Sequence, residues 1–450
     1  MGETRRKFIW NAALAGASLG MASNLGAKPF PKTIDQNSKL KIGIIGSGFR
    51  GQSHIDLLLR RNDCELICIA EPDQVMLGMT KKLVEELGGK WPAIYDQGTH
   101  DYIRMLGTEE IDAVIVATPW EWHSQMAIAS MKAGVYTGLE VSGAISIDEC
   151  WELVNTHEAT GTPLYFLENV CFRRDVMAVL NMVKQGLFGE LIHLECGYQH
   201  DLRGVKFNDG VSAYNSGVEF GEKGFSEAKW RTWHSQYRNG DLYPTHGIGP
   251  VAQWINLNRG NRMESLVSMA SKARGLHEYI VNHPKGGPEH PNAKLEFKLG
   301  DKVTTMVKCT NGETIVLHHD TNLPRPYSLG FRVQGTKGLW MDVNKSLYIE
   351  GLSKDHQWET AENYLATYDH DFWKAHEKDA EGAGHGGMDW FLIDSFVRCA
   401  LDAKEIPFDV YDAASWMAIT PMSETSITGG GVPQLFPDFT RGRWKVKNEK

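Results

Sequence analysis

The chain has 450 residues, 47 of them Lys or Arg and 56 Asp or Glu, for a formal charge of −9; apolar residues make up 42% and charged ones 23%, the balance of a folded globular protein. A single core rarely grows past about 250–300 residues, so two domains are expected, and the mildly acidic balance excludes nucleic acid as the main partner because phosphate binding needs concentrated basic charge. No apolar run reaches the roughly 18 residues of a membrane span, and seven cysteines without a CxxC pair exclude zinc ribbons, ferredoxin-type clusters and redox disulfides, leaving buried free thiols and no metal.

In chain order, Arg5-Arg6-Lys7-Phe8-Ile9 precedes a short apolar stretch to Met21 and small residues up to Ala27. That order reads as a twin-arginine signal over 1–27, which implies export to the periplasm without a transmembrane anchor, and 28–39 reads as a linker. From 40 to 165 apolar runs alternate with helical patterns. Strands are predicted at 40–46, 65–70, 112–118, 135–139 and 164–168, with helices at 51–61, 74–87, 123–133 and 147–160. Such alternation is the signature of a parallel, doubly wound α/β sheet with crossover helices.

The grammar then changes. A helix at 174–185 leads to a strand at 189–197, a loop-rich stretch at 201–242 and a helix near 247–257. Strands follow near 263–271, 294–299, 303–309, 314–319, 329–335 and 338–343, then a helix near 387–402. Many strands with few helices between them predict an α+β domain with a largely antiparallel sheet over 166–428, and 429–450 forms a tail. The open face of such a sheet suggests a homodimer.

Gly46-Ser-Gly48-Phe49-Arg50-Gly51 is GxGxxG directly after a strand and before a helix. The first glycine permits the turn, the second lets the backbone approach a pyrophosphate, and the third allows close helix–strand packing. Glu71 lies twenty positions after Gly51, at the end of the second strand, where an acid bonds ribose hydroxyls and disfavours a 2′-phosphate. NAD is therefore the expected cofactor, held by Gly46, Gly48, Phe49, Arg50, Gly51 and Glu71. The loops Thr118-Pro-Trp120-Glu-Trp-His123 and Glu140-Val141-Ser142 follow later strands and should reach the same edge. Asn169, just past the last strand of the domain, is a further nicotinamide or ribose contact.

These motifs and the later sheet resemble the glucose-fructose oxidoreductase/inositol dehydrogenase (Gfo/Idh/MocA) superfamily. That family usually has Glu-Lys-Pro where this chain has Glu140-Val141-Ser142, so the lysine it uses in catalysis is absent. The tracts Tyr198-Gln-His200-Asp-Leu-Arg203, Trp230-Arg231-Thr-Trp-His234 and Gly240-Asp-Leu-Tyr243-Pro-Thr-His246 resemble a narrower branch, the NAD-dependent bacterial α-N-acetylgalactosaminidases of glycoside hydrolase family 109. The resemblance implies removal of terminal α-linked N-acetylgalactosamine from a glycan, with retention. The implied route is transient oxidation at C3, elimination across C1–C2, addition of water and re-reduction.

Within that chemistry His246 is the expected acid/base residue, since histidine titrates near neutrality. Tyr198 is either the base at C2, which needs its phenol pKa lowered, or a donor to a developing oxyanion. Arg231 offers a fork of donors for sugar hydroxyls or an acetamido oxygen. Tyr243, Tyr327 and His200 frame the sugar, and the tryptophans near 120 and 230 suit stacking on it. His385 is a rim candidate, and Asp389 reads as a helix cap. The competing readings are an NAD-dependent sugar or polyol dehydrogenase of the same fold, a sister glycosidase acting on another linkage, and a non-catalytic sugar-binding protein that retains NAD.

Overall fold

A computed structural model of the protein describes residues 39–446; the expected signal and most of the linker lie outside them. The described chain forms two compact units, one from 39–167 with 382–414 and one from 168–381 with 415–446. Residues 382–414, which the sequence reading assigns to the second domain, pack into the first. Among the described residues no helix is long and apolar enough to cross a membrane.

In the first unit six parallel strands, β1 (Leu40–Ile45), β2 (Cys64–Ala70), β3 (Ala93–Tyr95), β4 (Ala113–Val116), β5 (Tyr136–Leu139) and β6 (Leu164–Phe166), stand in the order β3-β2-β1-β4-β5-β6. Leu40, Ile42, Ile44 and Ile45 of β1 are all buried, as a central strand covered on both faces demands. Five helices connect the strands: α1 (Phe49–Leu59), α2 (Gln74–Glu86), α3 (Asp101–Thr108), α4 (Trp120–Lys132) and α5 (Ile147–Thr160). Asp73 caps α2 by accepting from the Val75 and Met76 N–H groups, and Ser146 caps α5 through the Glu149 N–H. Gly161, at φ +69°, ends α5 in the left-handed conformation.

The helix Met388–Leu401 completes this unit. Phe396 stacks on Tyr136 at 4.8 Å between centroids, and Asp394 pairs with Arg61 at 2.9 Å. A Cβ on Gly138 in β5 would stand 2.9 Å from the Phe396 ring, which is why a glycine interrupts an otherwise apolar strand.

The second unit is built on a nine-stranded sheet. Its strands are β7 (Leu191–Gln199), β8 (Met263–Ala270), β9 (Val303–Cys309), β10 (Thr314–Asp320), β11 (Arg332–Gly335), β12 (Gly338–Met341), β13 (Ser346–Ile349), β14 (Glu359–Thr360) and β15 (Gln434–Leu435). Every pairing is antiparallel except β7 with β10. The strand predicted at 294–299 does not form. Its alternation is real, with Leu299 buried and Phe297 packed edge-on to Phe207, but its backbone bonds to Ser235 and Gln236 rather than to a strand. Alternation reports a buried face, and it does not supply a ladder partner.

Candidate active site

In the first unit the dinucleotide loop has the geometry its glycines imply. Gly46 sits at φ +90°, and a Cβ there would meet the Ala117 carbonyl oxygen at 2.6 Å; one on Gly51 would stand 2.1 Å from the Gly46 oxygen. A Cβ on Gly48 would meet nothing within 4 Å, so open space faces the start of α1. That helix has no side-chain cap and no acid in its first turn, which leaves its leading N–H groups for an anion. Ser47 Oγ and Thr118 Oγ1, on the loops after β1 and β4, are buried polar atoms without a hydrogen bond among the described residues. These features fit a dinucleotide diphosphate. Glu71 accepts from the Ser47 and Asp73 N–H groups, each at 2.8 Å, so its carboxylate is locked against the glycine loop.

Phe49 opens α1, Trp120 opens α4, and Val141 is buried with its N–H on Glu140. His123 is committed to the protein. Its Nδ1 faces the Ser142 carbonyl at 3.0 Å and its Nε2 the Thr118 carbonyl at 2.7 Å, so the ring ties the two edge loops together rather than presenting a nitrogen to a ligand. Burial holds its pKa below the usual histidine value, and a neutral ring donates to one carbonyl only. Gly143, at φ +113°, leaves room for that ring, since a Cβ there would lie 2.4 Å from Nδ1.

Arg50 Nε donates to Glu140 Oε1 at 2.6 Å and Nη1 to Asp389 Oδ2 at 2.9 Å. His54 Nε2 meets the same Glu140 oxygen at 2.7 Å. Asp389 is therefore not the cap of its helix, whose N-cap is Gly387 with no side-chain bond. His385 joins Asp389 at 2.7 Å, so its ring belongs to this cluster.

In the second unit two glycines bring the candidate histidine and tyrosine together. A Cβ on Gly247, in the helix Thr245–Trp254, would meet the Gly197 N and Cα at 2.7 and 2.9 Å. This close approach seats His246 against Tyr198 at the end of β7, with ring centroids 5.5 Å apart. Tyr243 lies 4.4 Å from Tyr198 and 4.8 Å from His246, and His200 and Tyr327 lie 5.8 and 6.2 Å from Tyr198. Arg231 sits over the Tyr243 ring at 5.6 Å and pairs with Glu227 at 2.9 Å. The structure thus gathers His246, Tyr198, His200, Arg231, Tyr243 and Tyr327 into one cluster. Asn169 lies in this unit too, beside Glu168, at the start of a short 3-10 turn.

Electrostatics separate the roles. Burial, opposed by Arg231, pushes the Tyr198 phenol up to about 12, which is the wrong direction for a base; the structure retains Tyr198 as an O–H donor. Its oxygen lies 3.1 Å from His200 Nδ1. The His246 ring has a partner that the sequence reading missed. Glu168, fully buried, lies 2.7 Å from His246 Nδ1 and also accepts from the Val170 N–H. Because a carboxylate only accepts, Nδ1 is the donor and Nε2 is left to take or return a proton. Gly249 makes space for this acid, since a Cβ there would stand 2.8 Å from Glu168 Cγ. Asp241, which accepts from the Tyr243 N–H at 3.1 Å, has its carboxyl pushed up to about 7 by burial.

Comparison with known proteins agrees with both halves. The model of the oxidoreductase family with an NAD-binding Rossmann fold matches 40–166, and that of the glycosyl hydrolase 109 C-terminal domain matches 172–446. A glycosyl hydrolase family 109 protein of Stenotrophomonas maltophilia is 52% identical over 98% of this chain and 97% of its own. An α-N-acetylgalactosaminidase of Tannerella forsythia is 50% identical over 99% and 98%. Among solved structures, a levoglucosan dehydrogenase in complex with NADH and levoglucosan superposes with a TM-score of 0.63 at 16% identity, covering 89% of this chain and all of its own. The myo-inositol 2-dehydrogenase of Lactobacillus plantarum gives 0.60 at 15% over 89% and 100%; these two share the fold. With an NAD-binding Rossmann unit ahead of the matched glycosyl hydrolase 109 C-terminal domain, the chain belongs to glycosyl hydrolase family 109.

Proposed function

We propose that this glycosidase removes terminal α-linked N-acetylgalactosamine from glycans with retention of configuration. The observation that carries the substrate is its 50% identity, along nearly the whole chain, to the Tannerella forsythia α-N-acetylgalactosaminidase. When bound, NAD would supply reversible hydride transfer at C3 of the sugar, which would make the net reaction a hydrolysis without change in cofactor oxidation state. Gly46, Gly48 and Gly51 with the start of α1 hold the diphosphate, Glu71 the ribose, and Arg50, Glu140 and Asn169 are the further cofactor residues.

The chain's own groups handle protons and orientation. His246 Nε2 takes the C2 proton and returns it, while Glu168 on Nδ1 fixes the tautomer and offsets the charge that the ring acquires. Tyr198 donates its O–H to the oxygen on which negative charge develops, a role suited to a phenol that keeps its proton. Arg231 orients hydroxyl or acetamido oxygens, and Tyr243, Tyr327 and His200 wall the sugar. Export by the leader fits seven cysteines that are all buried and form no disulfide, because a twin-arginine route carries a folded protein with its cofactor aboard.

The test uses purified protein without added NAD on p-nitrophenyl α-N-acetylgalactosaminide, with absorbance followed at 400 and 340 nm. The proposal expects many turnovers of nitrophenol with no net NADH. Steady NADH formation on free sugars or polyols, with no nitrophenol release, overturns it in favour of a dehydrogenase.

A further inference from the structure

The cluster around Arg50 does more than bury charge. The guanidinium is carried by the second residue of the dinucleotide-loop helix and is gripped by two carboxylates from separate parts of the first unit. Glu140 directly follows β5 and is 5% exposed, and Asp389, from the returning segment 382–414, is 1% exposed. Each carboxylate oxygen in the grip is shared: Glu140 Oε1 with His54 Nε2, and Asp389 Oδ2 with His385 Nδ1. Arg50 holds both acids well below the usual carboxylate range, against the opposing effect of burial. The segment before Asp389 is shaped to allow this. A Cβ on Gly384 would stand 2.6 Å from Asp389 Oδ2, and His385 turns back to Asp389 at φ +54°, followed by Gly386 and Gly387 at +70° and +96°.

We infer that Asp389 and His385 are positioning residues for the cofactor: by fixing Arg50 they hold the dinucleotide loop in its binding shape and retain NAD through turnover. Without Asp389 the guanidinium keeps a single anchor, Glu140, and the loop is held from one side only. The inference rests on the reading of Arg50 as a cofactor residue, so its test separates the two.

The rate of NAD release is measured on the full-length holoprotein by exchange with excess fluorescent etheno-NAD, alongside the NAD content after purification and the thermal midpoint. Asp389→Asn should release NAD about tenfold faster, the equivalent of one charge-assisted hydrogen bond. His385→Ala, at an exposed ring, should accelerate release by a smaller factor without moving the thermal midpoint. Parental release rates in both variants, with fast release in Arg50→Ala, overturn the inference and leave Arg50 acting alone. A parental rate in Arg50→Ala refutes the assignment of Arg50 to the cofactor, and the inference with it. A lowered thermal midpoint in Asp389→Asn with unchanged release assigns Asp389 to the fold and also overturns the inference.

Discussion

Replacing Asp241 by Asn should make the protein progressively more stable than the parent as pH rises. The Asp241 side chain is 1% exposed, one oxygen accepts from the Tyr243 N–H, and the other has no partner among the described residues. Burial, opposed by that single hydrogen bond, pushes the carboxyl from 3.8 up to about 7. A raised carboxyl means that the folded state keeps its proton while the unfolded chain has already lost it. Stability therefore falls as pH rises from about 4 to about 7, and the full interval amounts to about 4 kcal/mol. Asn carries no such dependence. Its new amide N–H at the unpartnered position costs about 1–3 kcal/mol, but equally at every pH. The stability difference, Asn variant minus parent, should thus grow by about 2–3 kcal/mol between pH 5 and pH 8, or about 5 °C in the thermal midpoint of a unit this size. Differential scanning fluorimetry of both proteins at pH 5, 6, 7 and 8 reads this directly. Parallel curves, offset but not diverging, would show that the carboxyl titrates as it does in the unfolded chain and would refute the argument.

Other outcomes follow from the same geometry. His246→Ala should lower kcat by about 10²–10⁴-fold while leaving the NAD content after purification unchanged, because His246 is an acid/base residue and not one of the residues assigned to hold the cofactor. Glu168→Gln keeps an acceptor on Nδ1 but removes the charge; kcat should drop by about 10²-fold with little change in KM, and an unchanged kcat would remove Glu168 from the mechanism. Tyr198→Phe should lose about 10²-fold in kcat if the phenol stabilises an oxyanion, and a near-parental rate would refute that role. Gly51→Ala should yield protein without NAD, since the added Cβ would stand 2.1 Å from the Gly46 oxygen; ultraviolet absorbance of the purified variant shows whether the nucleotide is there.

What could be read before the structure was whatever local pattern carries. The strand–GxGxxG–helix unit, Glu71 at the end of β2 and the switch from alternating βα to successive strands are properties of contiguous sequence, and the parallel and largely antiparallel sheets both stand as expected. The tracts holding Tyr198, Arg231, Tyr243 and His246 were legible because each has distinctive neighbours. Their convergence was not, because it depends on Gly247 meeting Gly197, a contact between a helix and a strand far apart in the chain. Glu168 was invisible as a partner for the same reason, since it lies 78 residues from His246. Arg50 and Asp389 are separated by 339 residues, and only the return of 382–414 to the first unit explains why an acid resembling a helix cap is an ion-pair partner. For His123 and Tyr198 the sequence offers a residue type within a recognisable loop or tract, without the contacts that surround each ring. Packing decided their roles, occupying both nitrogens of one and raising the phenol pKa of the other.

The central claim is that glycosidic cleavage passes through loss and return of the C2 proton on His246, not through a carboxylate pair acting at C1. Hydrolysis of an α-N-acetylgalactosaminide in D₂O, with the released sugar followed by proton NMR, tests it most directly. The account predicts deuterium at C2 of the product, because the His246 N–H exchanges with solvent while the aglycone leaves and water enters, with the α-anomer appearing first. A product that keeps only protium at C2 over many turnovers would contradict it.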